Sequence, residues 1–566
     1  MKIAEYQVKP TPKTRPIANM AAPTDEATAA NVLNIIASYG VHCEREPGSW
    51  DAFDVYLPTA TKQVAAGVPV RILLPAFPFK QDSDSVVLGP LPDLGEELAL
   101  ARLQGLCDDI STVYDNGAEV LICSDGLVYH DLMGVSVDAA WEFGEALRAM
   151  AARIQARNIK FIRLWDLLDH PSRHLQQESP EKAKAYYLEH GACIRRELLY
   201  RFSDADFDAT VALATDKAWA TTHAAYVGVL SKKATESPDS IAKQMMVRGK
   251  AYARGLNAVL PDYLRLSIHD SAGKDKLSLA MVPPPHERGS VGLMPWRSVV
   301  AVDSDGSYRT AFPDSIKDTH ELIYQNGQPY FFREKSELFD WSGSDIEVTF
   351  EHLYPCGTII RPVEGSPSVR QIPMQKVRQL ANNFSPIILR GFDEVLDDDA
   401  WLNKGHELGK PVTDPTLDNP PGYMYSAYLG TARKGDDYSL FCNSRLFFRY
   451  LPFAWPIDKL EPITWEVISN SSLPSADSGL PLVVRHSVTN APCLRWRSFN
   501  NDSGHRVQIE NEEQSLVDVI EKLVRDPRTC LRFRWEKGDL LVNDNISTPH
   551  VRTSNTETEI RLMYFN

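Results

Sequence analysis

The sequence predicts two units in tandem: an α/β domain on a parallel sheet, then a mainly β domain. Two observations predict the first. Short apolar, β-branched runs alternate with stretches of helical spacing across residues 68–164, and each intervening stretch is long enough for a covering helix. The third observation is a change of texture beyond residue 375, where short runs of aromatic and β-branched residues take over. The first unit is therefore expected to be a Rossmann-like parallel sheet. The second is expected to be a double-stranded β-helix, or jelly roll.

Taken in order, residues 1–27 are rich in Pro, Thr and Ala and are expected to form a flexible leader. The first helix is expected over 29–38, with Thr28 as N-cap. VPVRILL (68–74) reads as a buried strand. Residues 93–107 read as a helix, with Leu98, Leu103 and Leu106 on one face. A second strand (120–123), a helix (137–156) and a third strand (159–164) follow. Residues 181–260 are helical in spacing and 263–350 are β-like. The segment 361–375, with three prolines, one glycine and two serines, is expected to be the linker between a unit at 28–360 and one at 376–566. Strands are expected there at 387–389, 423–428, 531–535, 539–542 and 560–565.

Composition narrows the function classes. With 566 residues, 24% charged and 43% hydrophobic, the chain is of ordinary globular type. A net charge of −15 disfavours nucleic acid as a partner, since a phosphate backbone needs a basic surface. The eight cysteines include no Cys-x-x-Cys pair, which argues against a thiolate zinc site and fits a reducing compartment. No apolar run approaches the roughly 18 residues of a membrane span, and the N-terminus lacks a signal-peptide core. A soluble, cytosolic protein with small-molecule substrates, and with neither membrane nor nucleic acid as partner, is the expectation.

Candidate chemistry gathers at predicted strand ends, where open α/β sheets bind ligands. Lys80 follows the first strand and could hold a phosphate or activate a carbonyl. Ser124 and Asp125 follow the second strand, and with Asp131 they supply a hydroxyl and two carboxylates for acid–base work. Arg163 follows the third and adds a cation. Asp93 and Glu96 equally read as an Asp-x-x-Glu capping box. In RLSIH, Arg265, Ser267 and His269 alternate, so a strand would put them on one face, with Lys276 close behind.

These stretches, Phe77–Leu100, Ser124–Val135, Lys160–His170 and Arg265–His269, together resemble the isocyanide (isonitrile) synthase family, which includes the pyoverdine/dityrosine-biosynthesis proteins. The resemblance runs over roughly residues 30–356. It implies that an amino acid and ribulose 5-phosphate yield an isocyanide, with no cofactor needed. On that reading Lys80, Asp125, Asp131 and His269 are the catalytic candidates, and Ser124, Arg163, Arg265 and Lys276 the substrate-phosphate ligands. One departure is Met294-Pro295-Trp296-Arg297, where Arg297 stands in the place of a histidine.

The second unit ends in Trp535–Asn545, then His550, with Arg561 eleven residues later. This resembles the taurine-dioxygenase-like Fe(II)/2-oxoglutarate oxygenases. The resemblance makes His550 the distal iron ligand and assigns Ser439 and Arg561 to 2-oxoglutarate. A facial triad also needs His-x-Asp or His-x-Glu. The interval that should hold it contains only His406, in His-Glu-Leu, and the one His-x-Glu of the chain, His42-Cys43-Glu44, lies in the other unit. The expectation is a synthase fused to an oxygenase-like domain that lacks two iron ligands and is inactive. The alternatives are a bifunctional synthase–oxygenase making a vinyl isocyanide, and a non-catalytic pathway scaffold.

Overall fold

The computed structural model describes residues 24–40, 53–81, 85–124, 126–230, 237–268, 277–282, 293–353, 355–395, 397–412, 421–431, 438–451, 455–469, 479–498, 505–509, 514–526, 528–552 and 558–566. Most of the expected leader lies outside them. The first helix, α1 (Asp25–Ser38), begins earlier than expected, because Thr24 and not Thr28 is its cap. Thr24 Oγ1 accepts the Ala27 N–H at 3.2 Å, and Asp25 and Glu26 then sit in the first turn, where the helix dipole favours acids.

Five parallel strands follow: β1 (Val70–Pro75), β2 (Ala118–Cys123), β3 (Ile159–Ile162), β4 (Leu264–Ser267) and β5 (Leu277–Ser278), in the order β3-β2-β1-β4-β5. Helices α2 (Phe53–Ala65), α3 (Leu94–Ser111), α4 (Gly126–Tyr129) and α5 (Val137–Arg153) cross between or flank the strands. Alternation sorts the side chains. Ile72, Leu74, Val120, Ile122, Leu264 and Leu266 pack on the face covered by α1 and α3. Leu73, Leu121 and Cys123 pack on the other, against helices Pro180–Phe202 and Pro238–Val259. The strand order reverses between β1 and β4, which opens a crevice beyond their carboxyl ends.

A second sheet, β6 (Val299–Val302), β7 (Tyr308–Ala311), β8 (His320–Gln325) and β9 (Gln328–Glu334), is ordered β7-β6-β9-β8. Then come β10 (Val348–His352), β11 (Thr358–Pro362), β12 (Ile387–Leu389), β13 (Tyr423–Thr431) and β14 (Tyr438–Cys442). They are followed by β15 (Thr464–Ser469), β16 (Leu480–Pro481), β17 (Val483–Arg485), β18 (Pro492–Leu494) and β19 (His505–Ile509). The last four are β20 (Cys530–Arg534), β21 (Leu540–Asp544), β22 (His550–Arg552) and β23 (Thr558–Phe565).

In the C-terminal half a six-stranded sheet, β10-β11-β12-β21-β13-β23, faces a three-stranded one, β20-β14-β22. Ile388, Met424, Tyr428 and Leu541 of the first meet Phe441, Leu531, Phe533 and Trp535 at the second. Two facing sheets suit the mainly β domain expected from sequence; among the described residues neither sheet closes on itself.

The segment 361–375 is not a loose linker. Its start is the end of β11, which already belongs to the C-terminal sheet, and Val369, Ile372 and Met374 are fully buried. A single apolar core runs from Ala29 through Phe339 and Phe384, whose rings lie 5.2 Å apart, to Phe565. A buried ion cluster joins the halves as well. Arg528 binds Asp526 and donates to the Ser38 carbonyl of α1 at 2.7 Å, while Arg532 meets Asp109 of α3 at 3.2 Å. Tyr39 donates to that same Asp109 carboxylate at 2.8 Å.

Candidate functional site

The chain leaves β1 through Phe77, a non-glycine residue at φ 56°, buried and 5.0 Å from the Trp296 ring. A left-handed Phe costs on the order of 1–3 kcal/mol, a strain that clusters at functional sites. Three residues later Lys80 turns inward, its side chain wholly buried. Its Nζ lies 2.5 Å from Asp93 Oδ2 and 2.8 Å from Glu96 Oε2.

The capping box at α3 is real. Asp93 Oδ1 accepts the Gly95 N–H and Glu96 Oε2 accepts the Asp93 N–H, both at 2.9 Å. The same two carboxylates therefore cap a helix and clasp a buried ammonium. Pro295, beside Trp296, packs on Gly95 at the same helix end, so close that a side chain at Gly95 would press on it.

Burial works against the Lys80 ammonium, but the two carboxylates outweigh it and its pKa is raised. Burial also pushes Glu96 up, to about 7; Lys80 opposes this and Asp93 adds to it. A carboxyl raised toward neutrality by burial is suited to general acid–base work. Glu96 Oε1 is buried and has no hydrogen-bond partner among the described residues. Lys80 is consequently not the open phosphate ligand or carbonyl activator that sequence suggested, since its charge is already met by protein.

The end of β2 is knitted to the end of β1. Ser124 Oγ donates to the Phe77 carbonyl and accepts the Gly126 N–H, each at 3.3 Å, which makes it a loop tie and not a phosphate ligand. A Cβ on Gly126 would collide with the Pro78 carbonyl oxygen. Gly126→Ala should therefore part the two loops and lower turnover at least tenfold, as kcat measured on folded protein will check. A turnover within twofold of wild type would contradict the packing.

Asp131 is clamped by two arginines: Arg248 grips both carboxylate oxygens, at 2.6 and 3.2 Å, and Arg195 approaches at 3.0 Å. Burial would raise its pKa, but the guanidiniums win and hold it below the ordinary value. This clamp holds Asp131 as an anion, at odds with the proton-shuttle role expected from sequence. Arg195 also donates to His130 Nε2 at 2.9 Å, and the Val135 carbonyl, an acceptor, fixes the proton on His130 Nδ1. Two guanidiniums against one carboxylate leave a positive charge in surplus. Neither arginine lies in a recognisable motif. The signal is a basic residue inside an apolar helical stripe, with Met245 and Tyr252 around Arg248, and Ile194 and Leu198 around Arg195.

Arg163 does follow β3, but it lies 3.7 Å over the Trp141 ring and pairs with Glu145 at 2.5 Å. Arg148 shares Glu145, and Asp166 supplies a second carboxylate, so this group is balanced and does not call for phosphate. Arg265 is level with Leu73 in mid-sheet, short of the crevice, and donates to Asn257 at 3.1 Å. Asp125, His269 and Lys276 lie outside the described residues.

In the C-terminal half, His550 stands opposite Phe441 in the β14–β22 ladder and stacks on its ring at 4.8 Å, facing the space between the sheets. Ser439 shares that face, with its Oγ accepting the Trp535 indole N–H at 2.9 Å. Arg561 does not join them. Along β23, Ile560 and Tyr564 pack between the sheets, whereas Met563 and Phe565 pack on the outer face, and Arg561 shares the outer parity and pairs with Asp398. Among the described residues no cluster of three His, Cys, Asp or Glu could hold a metal. Among the described residues His550 therefore lacks the partners an iron site needs, and Arg561 stands apart from the face that Ser439 and His550 share.

Comparison with known proteins follows the same division. The model for pyoverdine/dityrosine biosynthesis proteins matches residues 60–323, and that for the taurine catabolism dioxygenase TauD, TfdA family matches 413–564. The isocyanide synthase xanB of Aspergillus fumigatus is 43% identical over 96% of this chain and 81% of its own length. The chain belongs to the isocyanide synthase family. Isocyanide synthase A of the same fungus is 29% identical, over 95% of this chain and 97% of its own. The crystal structure of PvcA from Pseudomonas aeruginosa aligns with 54% of this synthase and all of that protein, at 24% identity and a TM-score of 0.46. The chain is thus an isocyanide synthase with a TauD-like domain fused behind it. No helix among the described residues is long and apolar enough to cross a membrane.

Proposed function

We propose that this synthase joins the amino nitrogen of an amino acid to the carbonyl carbon of ribulose 5-phosphate and releases an isocyanide. The observation that carries the reading is the buried Lys80–Asp93–Glu96 trio beside the switch point of the parallel sheet. Imine formation and carbon–carbon cleavage both need a group that exchanges a proton near neutrality, and Glu96 has that property. The surplus positive charge at Arg195 and Arg248 suits a sugar-phosphate dianion. Purified protein given single amino acids with ribulose 5-phosphate should release an isocyanide detectable by mass after trapping. No product from any of the twenty amino acids would sink the proposal.

The same reading makes the TauD-like domain inactive as an oxygenase. Three things support this: the chain has no His-x-Asp, Arg561 points away from His550, and the alignment with xanB spans 618 positions, more than this chain has residues, so it opens gaps in it. Titration with ferrous ion and 2-oxoglutarate under argon should show no stoichiometric binding. One iron bound per chain, with succinate released in air, would restore the bifunctional alternative.

A further inference from the structure

We propose that Glu96 receives the ammonium group of the amino-acid substrate and takes a proton from it. The inference rests on the reading above and names the group that meets one of the two substrates.

Three observations point to it. Glu96 Oε2 is used twice, by the Asp93 N–H and by Lys80, whereas Oε1 is buried without a partner among the described residues. Buried polar atoms are nearly always hydrogen-bonded, to protein, water or a ligand, so an oxygen without a protein partner is open to one of the other two. Two carboxylates face one ammonium, so the trio holds one negative charge in surplus when all are ionised. Its complement is a cation, and an ammonium brings one charge and three N–H donors. Finally, the cluster at the end of β2, Arg195 and Arg248 on Asp131, has the opposite surplus. The two clusters sort a cationic amine from an anionic phosphate by sign.

The chemistry balances without an oxidant. The ammonium gives a proton to the Glu96 carboxylate, and the freed lone pair forms the C–N bond to the ketone carbon. The carbonyl π pair moves to oxygen, which takes a second proton from the nitrogen. Glu96 then returns its proton to that hydroxyl, which leaves as water, and the nitrogen lone pair closes the C=N bond of the iminium. The pKa of Glu96, raised to about 7, brings it closer to that of the substrate ammonium than an ordinary carboxylate would be; the transfer stays uphill and is drawn forward by the C–N bond that follows. Among the described residues the charged and titratable groups on the surrounding elements include Lys80 after β1, Asp93 at the helix cap, Glu97 with its partners Arg153 and Tyr330, and Arg297 beyond Trp296.

Glu96→Gln keeps a capping oxygen for the Asp93 N–H while removing the base. In the full chain it should melt within a few degrees of wild type and lose at least 100-fold in kcat. Turnover within threefold of wild type overturns the inference. A second measurement needs no variant: calorimetry of wild type with L-tyrosine, L-tryptophan and L-valine in two buffers of different ionisation heat. Below pH 7 Glu96 and the ligand together carry two protons before binding and one after. Binding should release close to one proton at pH 6, falling toward zero by pH 8. Release that does not change with pH overturns the inference even if Glu96→Gln fails to fold. A wild type that neither binds nor converts any amino acid instead overturns the function proposed above.

Discussion

Lys80→Met should cost about 3 kcal/mol of stability at pH 7.5, because removing one partner of a buried ion pair strands the other. Here it strands two carboxylates, Asp93 and Glu96, both buried at the cap of α3. The Glu96 pKa, already raised, must rise further in the folded variant, so the folded state binds more protons than the unfolded one. Stability then increases as pH falls. Urea midpoints at pH 7.5 and 5.5 check this, with the deficit expected to shrink at the lower pH. A loss below about 1 kcal/mol, or one that grows on acidification, would show that Lys80 does not compensate this pair. Turnover should vanish in the same variant, since Glu96 loses the cation that shapes its proton affinity.

Arg528→Ala should be comparably severe, by about 3 kcal/mol, and should act at the joint between the halves. The guanidinium binds buried Asp526, lies 4.8 Å over the Tyr450 ring and reaches the Ser38 carbonyl. Burial alone would raise the Asp526 pKa, but Arg528 reverses this and holds it low. Asp109, close by, already sits high, at about 7, through burial and the charge of Asp526. Without Arg528 the two acids face each other with less compensation. Hydrogen exchange should rise together around residues 36–40 and 526–532, which are far apart in sequence. Faster exchange at only one of the two segments would contradict a shared joint.

The alternation of strand and helix made the parallel sheet legible, because a buried parallel strand and an amphipathic helix have different periods. Strand ends were legible too, and with them Lys80, Ser124 and Arg163. Their partners were not. The capping box at Asp93 and Glu96 is a local signal, whereas its grip on Lys80 depends on where β1 delivers the chain. Thr24 displaced Thr28 as cap because two acids follow it. The prolines of 361–375 suggested a linker, and the spaced apolar residues Val369, Ile372 and Met374, which anchor the segment, were the weaker signal. For Arg561 the spacing from His550 suggested a shared site, but spacing says nothing about parity, and the packing of Met563 and Phe565 places it on the outer face.

The continuous core has a consequence for how such a chain can change over time. Leu540, Val542 and Phe565 of the TauD-like half are buried in the same apolar mass as Ile72 and Leu74 beneath the synthase crevice. Purifying selection on isocyanide output therefore reaches these strands through folding, by way of the shared core. Oxygenase ligands can drift away once their reaction is no longer required, while the sheet that carried them stays under constraint. A half that shares its core with its neighbour is held by the neighbour's folding, whatever chemistry it carries itself.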